Sequence, residues 1–485
     1  MSTVDELAPF GYRQELHRTL GSFSAFAAGF SFVSILTTVF QLFGFGYSLG
    51  GPAFFWTWPV VLGGQLLVAL VFAELAARYP LAGSVYQWAK NLSPGFTGWL
   101  AGWMMLIGCV VALASAAIAL QVVLPSVWDG FQLVGGDPSI TTPTGATNAV
   151  LLGSLLLLVT TAINVAGVRI MARVNDIGVA AELIGVLVLV IGLGLFAVRG
   201  PQVVVRSLPE VSPGIGGVLA SALMACYVLY GFDTAATVAE ETKDARRAAP
   251  RAVLRAVFVS GIGGLAVLLC ALMAAPSLTD GQLAGKGLPY VITSVFGDGL
   301  GRIFLADVAV AVVVCTLAVQ TGAIRLMYAM ARDRALPGSA RLSRVSPRTG
   351  TPALPALLTG AVAIGLLVVN LGNPTLFGAI TGTSVVIVYL AYLLVTAPLL
   401  VARLRGPLPE HPEYFSLGRW GLPVNVAAVG YGLLMMLNIG WPRPEIYDVA
   451  GTGSMLMLLF PVEFVLVALI VGRLCWRSAV REEIG

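Results

Sequence analysis

Charge is what this 485-residue sequence has least of: Asp, Glu, Lys and Arg make up 11% of it, while 58% is hydrophobic. A soluble domain carries about 25% charged residues, so a water-soluble surface cannot be built from this composition. Soluble enzymes and nucleic-acid-binding proteins are excluded on that ground, and the partner implied is the lipid bilayer. Histidine is nearly absent. His17 and His411 both lie outside the apolar runs, which excludes a histidine proton relay or histidine metal site inside a membrane. The five cysteines (Cys109, Cys226, Cys270, Cys315, Cys475) stand singly in apolar runs without a CxxC pair and read as buried, inert thiols. No metal and no cofactor is expected. The opening MSTVDELAPFGYRQELHRTLG lacks a basic start followed by an apolar core, so it is not expected to be a cleavable leader.

What is present in quantity is long apolar runs. A helix needs about 20 such residues to cross the hydrocarbon core. Spans are predicted at 22–46, 54–73, 99–124, 149–168, 177–198, 218–238, 253–275, 303–330, 354–371, 376–401, 424–439 and 454–471, twelve in all. With the N-terminus placed in the cytoplasm, 23 of the 28 Lys and Arg residues fall on the inside and only Arg199, Arg206, Lys286, Arg302 and Arg443 outside. That bias predicts a multi-pass protein of the cytoplasmic membrane with both termini cytoplasmic.

Two spans differ from the rest. Span 1 crowds Ser31, Ser34, Thr37 and Thr38 into its middle, and span 6 holds Gly231 and Asp233 in the middle of its apolar run. Small polar residues and glycine make it cheap to open a helix at bilayer depth, because the freed backbone can line a wet cavity. Hydroxyls also serve as interhelical glue, the bland alternative. A carboxylate at a helix centre costs about 2.5–3.5 kcal/mol on insertion scales, so Asp233 requires a reason. Spans 1 and 6 are five apart and divide the chain into halves 21–199 and 215–400, flanked by a segment 1–20, two further spans within 421–473 and a tail 474–485. Five spans per half invert the second half in the membrane. The fold expected is an all-α membrane protein of twelve helices, with inverted repeats that each open on a discontinuous helix. That is the organisation of a secondary transporter.

Several segments carry a family likeness. AELAARYPLAGSVYQW after span 2, YGFDTAATVAEETKDARRAAPRAVL from span 6 onward and RLMYAMARDRALPGSARLSRVSPRTGTPALPA at the end of span 8 are similar to three signatures of the amino acid–polyamine–organocation transporters. GYRQELHRTLGSFSAFAAGFSFVSI and LGRWGLPVNVAAVGYG resemble most its amino acid/choline branch, which includes GABA permeases. The resemblance implies the LeuT-type five-plus-five fold, with spans 11 and 12 peripheral, and a small amine or amino acid as substrate.

Read physically, Glu74 and Arg78 stand one turn apart and can pair. Pro80 and Gly83 turn the chain into an amphipathic stretch where Tyr86 and Trp88 suit the membrane interface. EETKDARRAAPR reads as a solvated cytoplasmic end of span 6. Gly98 and Gly102 form a GxxxG that reads as helix packing.

By the resemblance, the substrate's carboxylate meets exposed N–H groups at a half-helix start and its ammonium meets carbonyls, at breaks in spans 1 and 6. Carried over by position, these are Ser31, Phe32, Val33, Ser34 and Ile35, with Tyr227, Val228, Tyr230 and Gly231. Many relatives have Gly-x-Gly where this chain has Val33 and Ile35 around Ser34, which leaves the carboxylate register open. Tyr227 falls where relatives close an aromatic over the substrate; a core-packing tyrosine is the other reading. Thr316, Gln320 and Thr321 on span 8 either line the pathway or an ion site, or glue helices. Asp233 is expected to hold span 6 open and to take part in coupling. Glu182 in span 5, about 8–9 Å inside it, stands where several relatives have a lysine. It reads as carrier of a coupled proton, as a sodium ligand together with Thr316 or Thr321, or as a solvated vestibule residue. The proton is the preferred coupling ion and sodium the alternative. An exchanger, a choline or polyamine carrier and a solute sensor on the same scaffold stay open. A channel or a membrane enzyme fits poorly, since neither rings of charge nor a nucleophile–base set is present.

Overall fold

The computed structural model describes residues 7–140, 142–206, 214–369, 371, 376–406, 408, 413–448 and 453–484. His411 lies outside them. Apart from one isolated parallel bridge, Leu20 to Thr242, the described residues are helical or irregular. That follows from the composition: in lipid a chain must satisfy its backbone within each segment, and a helix does so.

The order begins α1 (Ser22–Val33), α2 (Ile35–Gly50), α3 (Thr57–Arg78), α4 (Ser84–Leu92), α5 (Phe96–Val127), α6 (Pro143–Ala166) and α7 (Val168–Leu195). It continues with α8 (Ile215–Val228), α9 (Thr234–Thr237), α10 (Ala245–Ala274), α11 (Gly281–Lys286), α12 (Leu288–Arg332) and α13 (Ser339–Leu342). The last are α14 (Ala353–Val369), α15 (Leu376–Arg405), α16 (Gly421–Gly440), α17 (Pro444–Tyr447), α18 (Met455–Leu458) and α19 (Phe460–Ile484). Eight helical stretches among the described residues are long and apolar enough to cross a membrane, and α8 and α14 are shorter apolar helices. The first stretch, Ser22–Arg78, contains the interruption at Ser34 and a 3-10 turn at Gly51–Trp56.

Local chemistry sets the ends. The Thr142 hydroxyl accepts from Gly145 N at 3.1 Å and caps α6, with Pro143 in the first turn where its missing N–H is not needed. Gly167, at φ 134°, separates α6 from α7. Within α12, Gly297 at φ 70° breaks the helix, so the stretch is a short outer piece followed by a long one.

The centre is built from α1, α2, α5, α8 and α12. α5 packs on α12 and α15, α1 and α3 on α10, and α2 on α8. Of its apolar window, α5 buries 89% inside the molecule, whereas α7 buries 33% and α16 28%. The outer helices keep an apolar face for lipid, as Ile184, Leu187 and Ile191 do on α7.

Tyr86 and Trp88 are packed inside the molecule, as structural residues of this segment. Tyr86 packs where a side chain on Gly102 would begin, and Trp88 lies 5.0 Å from Phe72, because Gly83 at φ 90° turns α4 inward over the end of α5. Glu240 and Glu241 are fully buried rather than solvated, each on an arginine of α12. Glu182 lies deeper than expected, because α7 begins at Val168, so the residue falls near the helix midpoint. The Glu74–Arg78 pair is present at 3.0 Å, and Arg403 from α15 also contacts Glu74.

Candidate substrate and coupling site

The first interruption sits at Ser34. Its backbone, φ 35° and ψ 94°, lies in the left-handed half of conformational space, which costs a non-glycine residue of order 1–3 kcal/mol. The break leaves N–H groups at the start of α2 and carbonyls at the end of α1 without helical partners. Side chains take up several. Thr37 N donates to Ser34 Oγ at 3.4 Å, and Leu36 N donates to Glu182 Oε1 at 3.1 Å. Ser34 Oγ also lies 3.0 Å from Glu182 Oε1 and 2.7 Å from Thr37 Oγ1. The Thr38 hydroxyl is 2.7 Å from Ser34 O and 3.0 Å from Val33 O, and Cys315 Sγ reaches Phe32 O at 3.6 Å. Glu182 is therefore a cap on the interrupted helix, 1% exposed, rather than a vestibule residue.

The second interruption runs from Leu229 to Asp233, between α8 and α9. Gly231 adopts φ 87°, where L side chains are strained. Its N–H donates to the Tyr392 hydroxyl at 2.9 Å, and that hydroxyl donates to Asp233 Oδ1 at 2.6 Å. Ser84 Oγ, from α4, donates to Asp233 Oδ2 at 2.9 Å. Asp233 is fully buried with both oxygens engaged, and its job in this conformation is to tie the open backbone to α15 and α4.

The two breaks touch. A Cβ on Gly231 would fall 1.9 Å from the Phe32 ring. Phe32 meets Tyr230 edge-on with centroids 5.9 Å apart, and Tyr230 meets Tyr227 at 5.5 Å. The Tyr227 hydroxyl donates to Ser115 Oγ at 2.9 Å, and Tyr230 pairs with Ser384 at 2.9 Å. Ser31, Phe32, Val33, Ser34 and Ile35 are thus brought together with Tyr227, Val228, Tyr230 and Gly231 in one buried region. Ser31 Oγ is buried there without a hydrogen-bond partner.

The α12 residues are placed elsewhere. The Thr316 hydroxyl bonds back to Val312 O at 2.7 Å. Gln320 donates to Thr161 at 2.6 Å and Thr321 to Asn164 at 2.9 Å, so both join α12 to α6. Thr316 is satisfied within α12, whereas Gln320 Oε1 stays buried without a hydrogen-bond partner. Sequence reasoning missed Ser84, Ser115, Tyr392 and Asp307. Only Asp307, an acid within the apolar part of α12, carries the signal that marked Asp233; Ser84 lies in the amphipathic α4, and Ser115 and Tyr392 do not stand out from their helices.

One side of the site is closed by charge. Arg332 takes both oxygens of Glu240 at 2.8 Å, and Arg325 holds Glu241 at 3.1 Å, with both partners of the latter 1% exposed or less. Lys90 holds Asp333 at 2.8 Å. The segment before α1 lies across them. The Tyr12 hydroxyl donates to Asp333 at 2.7 Å, its ring lies 4.1 Å under the Arg332 guanidinium, and Tyr328 donates to Glu15 at 2.8 Å. Burial, with the Asp333 carboxylate beside it, holds the Tyr12 phenol above its ordinary pKa.

The amino acid permease family model matches residues 20–469 of the chain. The chain belongs to the amino acid permease family. It is thereby a member of the amino acid–polyamine–organocation superfamily, whose proteins are membrane permeases and not enzymes. An amino-acid permease of Arabidopsis thaliana is 28% identical over 90% of this chain and 88% of its own length. A branched-chain amino acid permease of Bacillus subtilis is 26% identical over 91% and 92%. A GABA-specific permease of Saccharomyces cerevisiae is 24% identical over 90% and 78%. The matched residues include both interruptions and the Glu240–Arg332 and Glu241–Arg325 pairs.

Proposed function

We propose that this permease is a proton-coupled amino acid symporter of the cell membrane. It crosses twelve times with both termini cytoplasmic, and works by alternating access of two inverted five-helix repeats around the breaks at Ser34 and Gly231. The single observation that carries the reading is the acceptance of Leu36 N by Glu182 at the amino end of α2. Backbone donors at a helix start attract anions, and the carboxylate of an amino acid is such an anion. Glu182 and a substrate carboxylate compete for the same donors. A proton on Glu182 removes its charge and leaves the helix start to the substrate, so proton and amino acid are taken up together. The carbonyl end of α8, at Tyr227 and Val228, suits the ammonium, and the rings of Phe32, Tyr227 and Tyr230 suit an aliphatic side chain.

Asp233 supports an amino acid over a diamine, since Tyr392 and Ser84 occupy both its oxygens. The names of the relatives, among them a branched-chain and a GABA permease, support the same substrate class. The test is uptake into proteoliposomes of radiolabelled leucine, GABA, putrescine and choline under an imposed pH gradient. Accumulation of leucine or GABA is expected. Uptake of putrescine or choline alone would make it an amine carrier, accumulation on a sodium gradient alone would replace the proton, and binding without uptake would make it a sensor.

A further inference from the structure

A second carboxyl group stands one helical turn from Glu182. Asp307, on α12, inserts into the space left by the absent side chain of Gly185. A Cβ there would lie 1.8 Å from Asp307 Oδ2 and 3.4 Å from Leu36 Cδ1. Gly185 is the i+3 neighbour of Glu182 on α7, and such neighbours share a helix face. Glu182, Asp307 and the first turn of α2 therefore border one small space.

Each acid has an unused oxygen in that region. Asp307 Oδ2 and Glu182 Oε2 are both buried without a hydrogen-bond partner, and neither acid is ion-paired among the described residues. Glu182 is 1% exposed. Asp307 is half-buried, on a helix face whose neighbours Ile303 and Val310 point outward. An acid so placed at bilayer depth marks function by default, and its partner should be named. The surrounding elements offer few others. α1 and α6 carry no titratable side chain, and α2 has only Tyr47, which donates to Leu278 O. α10 has Cys270 near Gly194 and four arginines in its first three turns. α7 has Asp176, bonded to Ser24, and Arg169 and Arg173 at its start. On α12, Cys315 lies on Phe32 O and Arg302 is exposed. Glu182 is the partner that the geometry leaves.

We propose that Asp307 and Glu182 hold one proton between them, with Asp307 the group from which Glu182 is loaded. The O–H bond of the Asp307 carboxyl breaks and a new one forms on the Glu182 carboxylate. Asp307 is left as the anion until a proton taken up from the bulk solution restores it. The inference rests on Glu182 carrying the coupled proton, and adds a residue that the family resemblance did not point to.

The probe is the proton itself, followed by infrared titration of carboxyl bands in the reconstituted protein. Shared occupancy predicts that Asp307→Asn moves the titration midpoint of Glu182, and Glu182→Gln that of Asp307, each by at least a tenfold change in proton affinity. Unmoved midpoints overturn it. Gradient-driven accumulation of leucine or GABA should fall at least tenfold in Asp307→Asn and recover in Asp307→Glu. Full accumulation in Asp307→Asn beside a deficient Glu182→Gln overturns this inference alone. Full accumulation in both overturns the role of Glu182 as well. Should Asp307→Asn fail to fold, Gly185→Ala serves, since alanine suits a helix and its methyl displaces the carboxyl without removing it. An unchanged Glu182 midpoint in that variant also contradicts the proposal.

Discussion

Phe32 occupies the place where a side chain on Gly231 would begin, its ring 1.9 Å from that ideal Cβ. One residue belongs to the first interrupted helix and the other to the second. The contact means that neither break can be filled or re-wound without displacing the other. It also explains why a residue without a side chain is needed at a position that holds φ 87°.

Gly231→Leu should therefore abolish uptake while leaving membrane insertion intact. Gly231→Ala should impair it strongly, because even one methyl meets the Phe32 ring. Uptake assays normalised to protein in the membrane fraction check both.

Tyr392→Phe removes the hydroxyl that joins Gly231 N to Asp233 Oδ1. Two buried polar groups lose their partner, each costing about 1–3 kcal/mol. A lower Tm and slower uptake are expected, with the protein still folded. Asp233→Asn separates structure from coupling: wild-type transport across the pH range would confine Asp233 to a tethering role.

Much of this arrangement was legible in the sequence. Hydropathy outlined the long helices, and the polar cluster around Ser34 together with Gly231 and Asp233 marked where two of them open. What was not legible was partnership. Glu182 reads as a lone acid in an apolar run, and only packing reveals that it caps α2. Glu240 and Glu241 look like surface charge because their neighbours Lys243, Asp244 and Arg246 are charged, whereas their own partners lie more than eighty residues away on α12. Tyr86 and Trp88 carry the composition of an interfacial helix, and only the turn at Gly83 reveals what they pack against. Thr316, Gln320 and Thr321 send their donors to α12 itself and to α6, the interhelical glue that such residues also supply.

Glu241→Ala leaves Arg325 buried without its partner, and loss of one member of such a pair costs about 3–5 kcal/mol. The single variant should lower Tm markedly. The double variant Glu241→Leu with Arg325→Met should recover most of the loss, since apolar replacement of a buried pair is often neutral. Thermal unfolding in detergent reads both.

Tyr12 gives the clasp over Asp333 and Arg332 a dependence on alkaline pH. Its phenol is held above the ordinary value by burial and by Asp333. The stabilisation is thus complete below about pH 10 and is lost as pH rises through the folded-state value. Proteolytic cleavage before α1 should increase only above that range in wild type, and at neutral pH already in Tyr12→Phe.

The central claim is that Glu182 couples a proton to the substrate by yielding the start of α2. Proteoliposomes loaded at equal sodium on both sides, with an imposed pH gradient, test it on wild type and Glu182→Gln using leucine and GABA. Wild type is expected to accumulate substrate above the external concentration, an accumulation abolished by a protonophore, and Glu182→Gln only to equilibrate it. Undiminished accumulation in Glu182→Gln, or accumulation in wild type that follows sodium and ignores pH, would contradict it.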